Sequence, residues 1–214
     1  MEIELTESVD HGAPRTVGRR TLIGVGVGGA AVSLLPFLGG RAAAKTAADS
    51  TTTTAPPQRP TSGDTALLGQ AQQVELSARA LYDVAAGLTG WSAEEATVIV
   101  TIREAHEAFA QSLAGLLGVD APGEADAALV RSLQGNFSGT PSTALKAAYR
   151  LESALVATHL ELLGSLQGTD GAALVASIQT SEARHTTVLA DLAAFTDESD
   201  LLVDEEAASL LGEG

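Results

Sequence analysis

GVDAPGEADAALVRSLQGNFSG, residues 118–139, holds two helix-patterned regions more than twenty residues apart, and its length decides the topology. Upstream, a first helix is predicted from about Thr65 to Gly87, capped by Asp64. Its inward stripe is Leu67, Ala71, Val74, Ala78, Leu81 and Ala85. A second starts at Ser92-Ala93-Glu94-Glu95, a capping box, and runs to about Leu117 with Val98, Ile102, Ala105, Phe109, Leu113 and Leu116 inward. Downstream, Thr140-Pro141 pairs a cap with a proline at the first helical position. It opens a third helix carrying Leu151, Leu155, Leu162 and Leu166. A fourth begins near Asp170, with Leu174, Val175, Ile178, Leu189 and Leu192. Helices one and two are joined by a few residues, as are three and four, so each pair forms an antiparallel hairpin. An up-down-up-down bundle needs no long connection. The chain is therefore expected to be all-α, a four-helix bundle with one long crossover between helices two and three. A short helix is expected within the crossover, around Glu124 to Leu133.

Composition agrees with this class. Aromatic residues make up 3% of the 214, while alanine and leucine abound, which favours close helix packing over a β-sandwich. Residues 64–214 carry 22 acidic against 6 basic side chains, a net −16, with no basic stripe. Nucleic acid is not an expected partner. Cysteine is absent, which removes disulfides, thiolate metal sites, iron–sulfur clusters and cysteine nucleophiles.

The first sixty or so residues read as an address and a tether. Arg19-Arg20 precede an uncharged, glycine-interrupted apolar run, 21–40, and then Arg41-Ala42-Ala43-Ala44, where Ala42 and Ala44 form an Ala-x-Ala cleavage site. The segment 1–44 resembles a bacterial twin-arginine export signal, although Gly18 and Leu22 depart from its usual residues. The resemblance implies the twin-arginine export machinery as a partner and an extracytoplasmic, periplasmic location. Some twenty uncharged residues rising about 1.5 Å each also just span about 30 Å of hydrocarbon, so a retained membrane tether through 21–40 stands beside cleavage. Residues 45–63 are a Thr/Pro-rich linker expected to stay disordered, 64–196 the helical domain, and 197–214 an acidic tail that either docks or stays mobile. A homodimer is a further expectation.

Ionisable residues stand on the apolar stripes. Glu182 and His185, spaced i, i+3 on the fourth helix, project near the centre of its stripe, and Glu152 does so on the third. His159 follows Glu152 by two turns on the same face. Glu75 lies at the edge of the first stripe, and His106 points inward beside Ile102 and Phe109. Buried charges are costly unless paired with one another or bound to a metal. Each residue thus has a plainer reading, as a buried ion pair that fixes helix register. Glu104 and Glu107 project outward, and Trp91 packs across the first hairpin loop.

The combination resembles the ferritin-like superfamily, in particular exported bacterial ferritin-like domain proteins with a twin-arginine leader. Such bundles take a Glu from each of two helices and a Glu-x-x-His from each of the other two. The resemblance implies a transition metal, iron or manganese, held by Glu75, Glu152, Glu182 and His185. His106, His159 and Arg103 would be outer ligands or orienting neighbours. Arg103 occupies the place of a bridging carboxylate three residues before His106, and a guanidinium there opposes a second cation. Three functions stay open: a metal-binding protein with a reduced site, a metal-free envelope bundle serving as a structural or partner-binding module, and a di-iron oxidase.

Overall fold

Capping sequences set where the helices begin. The computed structural model describes residues 55–211 apart from Glu198, Val203 and Glu205. The leader, with Arg19, Arg20, Ala42, Ala44 and the run 21–40, lies outside these residues, as does the linker up to Thr54. Helix α1 spans Ser62–Ala86, three residues earlier than expected at its start. The cap is Thr61, not Asp64: Asp64 N donates to Thr61 Oγ1 (3.2 Å), while Thr61 N donates to Asp64 Oδ2 (2.8 Å). Helix α2, Ala93–Leu117, starts at the expected Ser92/Glu95 box and ends at Gly118, whose φ of 62° favours glycine. Helix α4, Pro141–Ser165, is capped by Thr140 with its proline in the first turn, and α5 spans Thr169–Leu192.

The connection 118–139 carries the short helix α3, Ala127–Phe137, capped by Asp126 and shifted a few residues from the expected span. Two buried polar side chains of α1 pin this crossover down. Gln72 Oε1 accepts from Gly123 N (3.0 Å), and Ser77 Oγ accepts from Asp126 N (2.9 Å). Phe137, fully buried, packs edge-on against Tyr82 with ring centroids 6.0 Å apart. The crossover therefore lies over α1 and α4.

α1 pairs with α2 and α4 with α5, as the loop lengths require. Two apolar clusters fill the bundle: a larger one around Leu81, Ile99, Leu145, Leu155 and Leu189, and a smaller one around Leu68, Leu113, Leu162 and Ile178. Within this interior Glu75, His106, Glu152, His159 and Glu182 are completely buried. The expected stripes hold in direction, with small rotations: Leu68 is fully buried where Leu67 was expected, and Leu67 is half-buried.

The ends of the domain are tied down by contacts distant in sequence. Within the described part of the expected linker, Pro57 O and Gln58 O accept from Thr169 N and Asp170 N, both at 3.0 Å. These carbonyls cap α5, which has no side-chain cap. Gly168 permits the approach, because a Cβ there would stand 2.7 Å from Arg59 O. The tail docks along α4 through Tyr149 Oη to Leu202 O (3.1 Å) and Leu210 N to Thr158 Oγ1 (2.8 Å). After α5, Phe195 N bonds Ala190 O and Ala194 N bonds Asp191 O, a Schellman closure that places Ala194 at φ 58°. Among the described residues no helix is long and apolar enough to cross a membrane.

Candidate metal centre

Each helix of the two hairpins contributes to one buried cluster of alternating carboxylates and imidazoles. Glu182 Oε2 faces His159 Nδ1 (2.8 Å), and His159 Nε2 approaches Glu75 Oε1 (3.3 Å). Glu75 Oε2 bonds His106 Nδ1 (2.7 Å), His106 Nε2 bonds Glu152 Oε1 (2.9 Å), and Glu152 Oε2 bonds His185 Nδ1 (3.0 Å). Tyr82 Oη donates to Glu152 Oε1 at 2.6 Å and stacks on His106, ring centroids 5.3 Å apart. Only His185, with 18% of its side chain exposed, reaches solvent.

The ligand-type atoms gather as two triads. Glu75, His159 and Glu182 form an inner group; His106, Glu152 and His185 form an outer one. Within each, one donor atom per residue lies within 4.8 Å of the others. This differs from the single set Glu75, Glu152, Glu182 and His185 expected from sequence. The i, i+3 pair on α5 divides, Glu182 facing inward to His159 and His185 outward to Glu152, because a turn of helix separates the two side chains along the bundle. His159 stands among the candidate ligands themselves. Glu75, placed at a stripe edge by projection, is central.

Arg103 stands elsewhere than expected. It leaves the core and pairs with Asp83 of α1, which Arg79 also contacts at 3.2 Å. It sits about 60° around the helix from His106, at the seam with α1, where an acidic partner is nearer than the interior. Neither Glu75 nor Glu152 is neutralised by it, and no guanidinium opposes a cation in the cluster. Tyr82, which sequence reasoning left out of the site, lies seven residues after Glu75 on the same face. That spacing was its only signal.

The two triads differ electrostatically. Burial disfavours charge on His106, but the carboxylates of Glu152 and Glu75 outweigh it and raise His106 well above the usual imidazole range. Burial acts on Glu152 likewise, and the charges and hydrogen bonds of His106 and His185 overcome it, holding Glu152 far below the usual carboxylate range. In the outer triad both oxygens of Glu152 and both ring nitrogens of His106 are thus bonded within the chain. In the inner triad, burial and then the facing charges of Glu75 and Glu152 push Glu182 well up. Burial keeps His159 neutral, against the opposing pull of Glu75.

Three buried atoms of the inner triad have no hydrogen-bond partner: Glu75 Oε1, His159 Nε2 and Glu182 Oε1. The 3.3 Å approach of His159 Nε2 to Glu75 Oε1 is close but misaligned for a hydrogen bond. Two ligands about 2.1 Å from one ion stand about 3.0–3.4 Å apart at octahedral to tetrahedral angles. In the tautomer that donates from Nδ1 to Glu182, His159 keeps its Nε2 lone pair free, the form in which imidazole binds metals. Two facing carboxyl groups in a dry interior take up a proton or a cation, and here a neutral imidazole completes the set. The residues fit a metal ion.

A model of the ferritin-like domain matches residues 63–194, which takes in every helix of the bundle. Neither the curated proteins nor the solved structures give a match. The match spans more than half of the chain, and the observed crossover between two helical hairpins agrees with it. The chain belongs to the ferritin-like domain family.

Proposed function

We propose that this protein is an exported metal-binding protein that holds iron or manganese in the core of its bundle. The observation that carries the reading is the set of three unpartnered atoms, one each on Glu75, His159 and Glu182, inside a fully buried site. Unsatisfied buried polar atoms cost about 1–3 kcal/mol each, so three on the residues of one triad call for a partner: a cation shared by all three, or a proton held between Glu182 and Glu75 that leaves His159 Nε2 for the cation alone. Oxygen and imidazole donors without thiolate suit iron and manganese. The outer triad offers two imidazoles and one carboxylate for a second ion, with Glu75 orienting His106 through its Nδ1–H. When bound, such an ion supplies Lewis acidity and, if iron, one-electron chemistry. The chain's own part is to hold the ligands and to exclude water with the apolar clusters on either side.

The twin-arginine resemblance of residues 1–44 supports export of the domain already folded, a route that allows metal to be loaded before crossing without requiring it. The acidic surface suits a soluble envelope protein that gathers divalent cations.

A second reading, the metal-free envelope module, is favoured by the outer triad, whose Glu152 and His106 are satisfied within the chain. Thermal melts decide between the two. Saturating Fe(II) under anaerobic conditions, or Mn(II), should raise the wild-type Tm, by the equivalent of about 2.7 kcal/mol at a hundredfold excess over Kd. Glu182→Ala should remove the share of that rise that the inner triad contributes. Identical Tm with and without metal in the wild type would leave the structural reading standing.

A further inference from the structure

The cluster is sealed on most sides and thin on one. Five of its six Glu and His side chains have no exposure, and His185 has 18%. On the α1–α4 side the crossover helix α3 covers the bundle, with Phe137 driven against Tyr82. Along the axis lie the two apolar clusters. The remaining seam, between α2 and α5, joins helices of different hairpins, and His185 stands in it.

Over that seam lies one aromatic ring. Phe109 is half-buried, stacks on His185 with centroids 6.5 Å apart and planes 21° from parallel, and meets His106 edge-on at 6.0 Å. Phe109 thus touches both imidazoles of the outer triad while belonging to the smaller apolar cluster. A hydrated divalent cation cannot pass an apolar ring in its resting place without losing water or moving the ring. The ring face can meanwhile attract the cation.

We infer that the α2–α5 seam at His185 is the route by which divalent metal ions reach the core, and that Phe109 controls the rate of passage. The outer triad is then the exchange position. To hold an ion there, His185 and Glu152 would give up their mutual hydrogen bond, and Glu75, His159 and Glu182 would hold it further in. The inner triad, with its three atoms already free, is the resident position. This rests on the metal reading above and adds to it a direction, a controlling residue and an order of exchange.

The test is loading of the full chain with Co(II), whose visible absorption reports bound metal without any enzymatic activity, followed by stripping with excess chelator. Wild type should release its metal in two phases, the fast one from the outer triad. Phe109→Ala should accelerate the fast phase by roughly tenfold or more, a modest drop in barrier. Phe109→Leu, which keeps most of the bulk and guards against a folding defect in the alanine variant, should fall between the two. Stoichiometry should be unchanged in both. Release at the wild-type rate in both variants, or a single phase in the wild type, would overturn the route and its order while leaving metal binding intact. Failure of the wild type to take up Co(II) would instead contradict the metal reading itself.

Discussion

Glu152 and Glu182 are both buried glutamates against histidines, yet their surroundings drive them in opposite directions. Glu152 is held ionised by His106 and His185, with Tyr82 adding a third hydrogen bond. Glu182 is pushed toward its protonated form by burial and by the charges of Glu75 and Glu152. Glutamine mimics a neutral carboxyl group and not a charged one, so the two substitutions should part company in chelator-treated protein at neutral pH. Glu152→Gln leaves His106 with Glu75 as its one carboxylate partner and removes that of His185, and should cost about 3–5 kcal/mol in denaturant unfolding. Glu182→Gln should change stability by less than about 1 kcal/mol while lowering the metal-dependent stabilisation that the inner triad contributes. Equal losses would show that the electrostatic assignment is wrong. Helical projection made Glu152, Glu182 and His185 legible in the sequence, since 100° per residue fixes which side chains share a stripe. It could not show which neighbour each would meet. Glu182 meets His159, and Arg103 meets Asp83, because of how adjacent helices are rotated and offset, and one helix's sequence does not encode that.

At the scale of elements, Asp64 joins the start of α1 to the turn before α5. Its carboxylate accepts from Thr61 N and also from Gln167 N (2.8 Å) and Gly168 N (2.9 Å). Burial opposes the charge, but these backbone donors prevail and lower its pKa to about 2. A carboxylate depressed in the folded state adds stability above its unfolded pKa of about 3.8 and loses it as pH falls toward 2. Asp64→Asn should therefore be less stable than wild type at pH 7, by about 2 kcal/mol for charge-assisted hydrogen bonds, and the gap should close as pH falls from 4 to 2. Urea unfolding at several pH values measures this, and a gap independent of pH would contradict it. The caps at Ser92 and Thr140 were readable because they are local, three-residue patterns. Thr61 was missed because Asp64, itself a good cap residue, lies within the same box. The carbonyl caps from Pro57 and Gln58 leave no pattern in the sequence, because backbone groups make them.

Over the whole molecule, loop lengths carried the topology: two short connections and one long one leave few ways to arrange four helices. The path of the tail along α4 was not readable, since it depends on single bonds to Tyr149, Ser153 and Thr158. The resulting domain surrounds three carboxylates and three imidazoles with apolar layers, and residues 64–214 carry a net −16 around it. On the proposed reading, such a body draws divalent cations from solution and holds them where water is excluded. Elemental analysis of the full-length chain, purified without chelators beside a Glu182→Ala/His185→Ala double variant, tests that claim most directly. The account predicts about one to two iron or manganese ions per chain in the wild type, lost in the variant. Absence of stoichiometric metal from the wild type, even after anaerobic loading with Fe(II) and Mn(II), would contradict it.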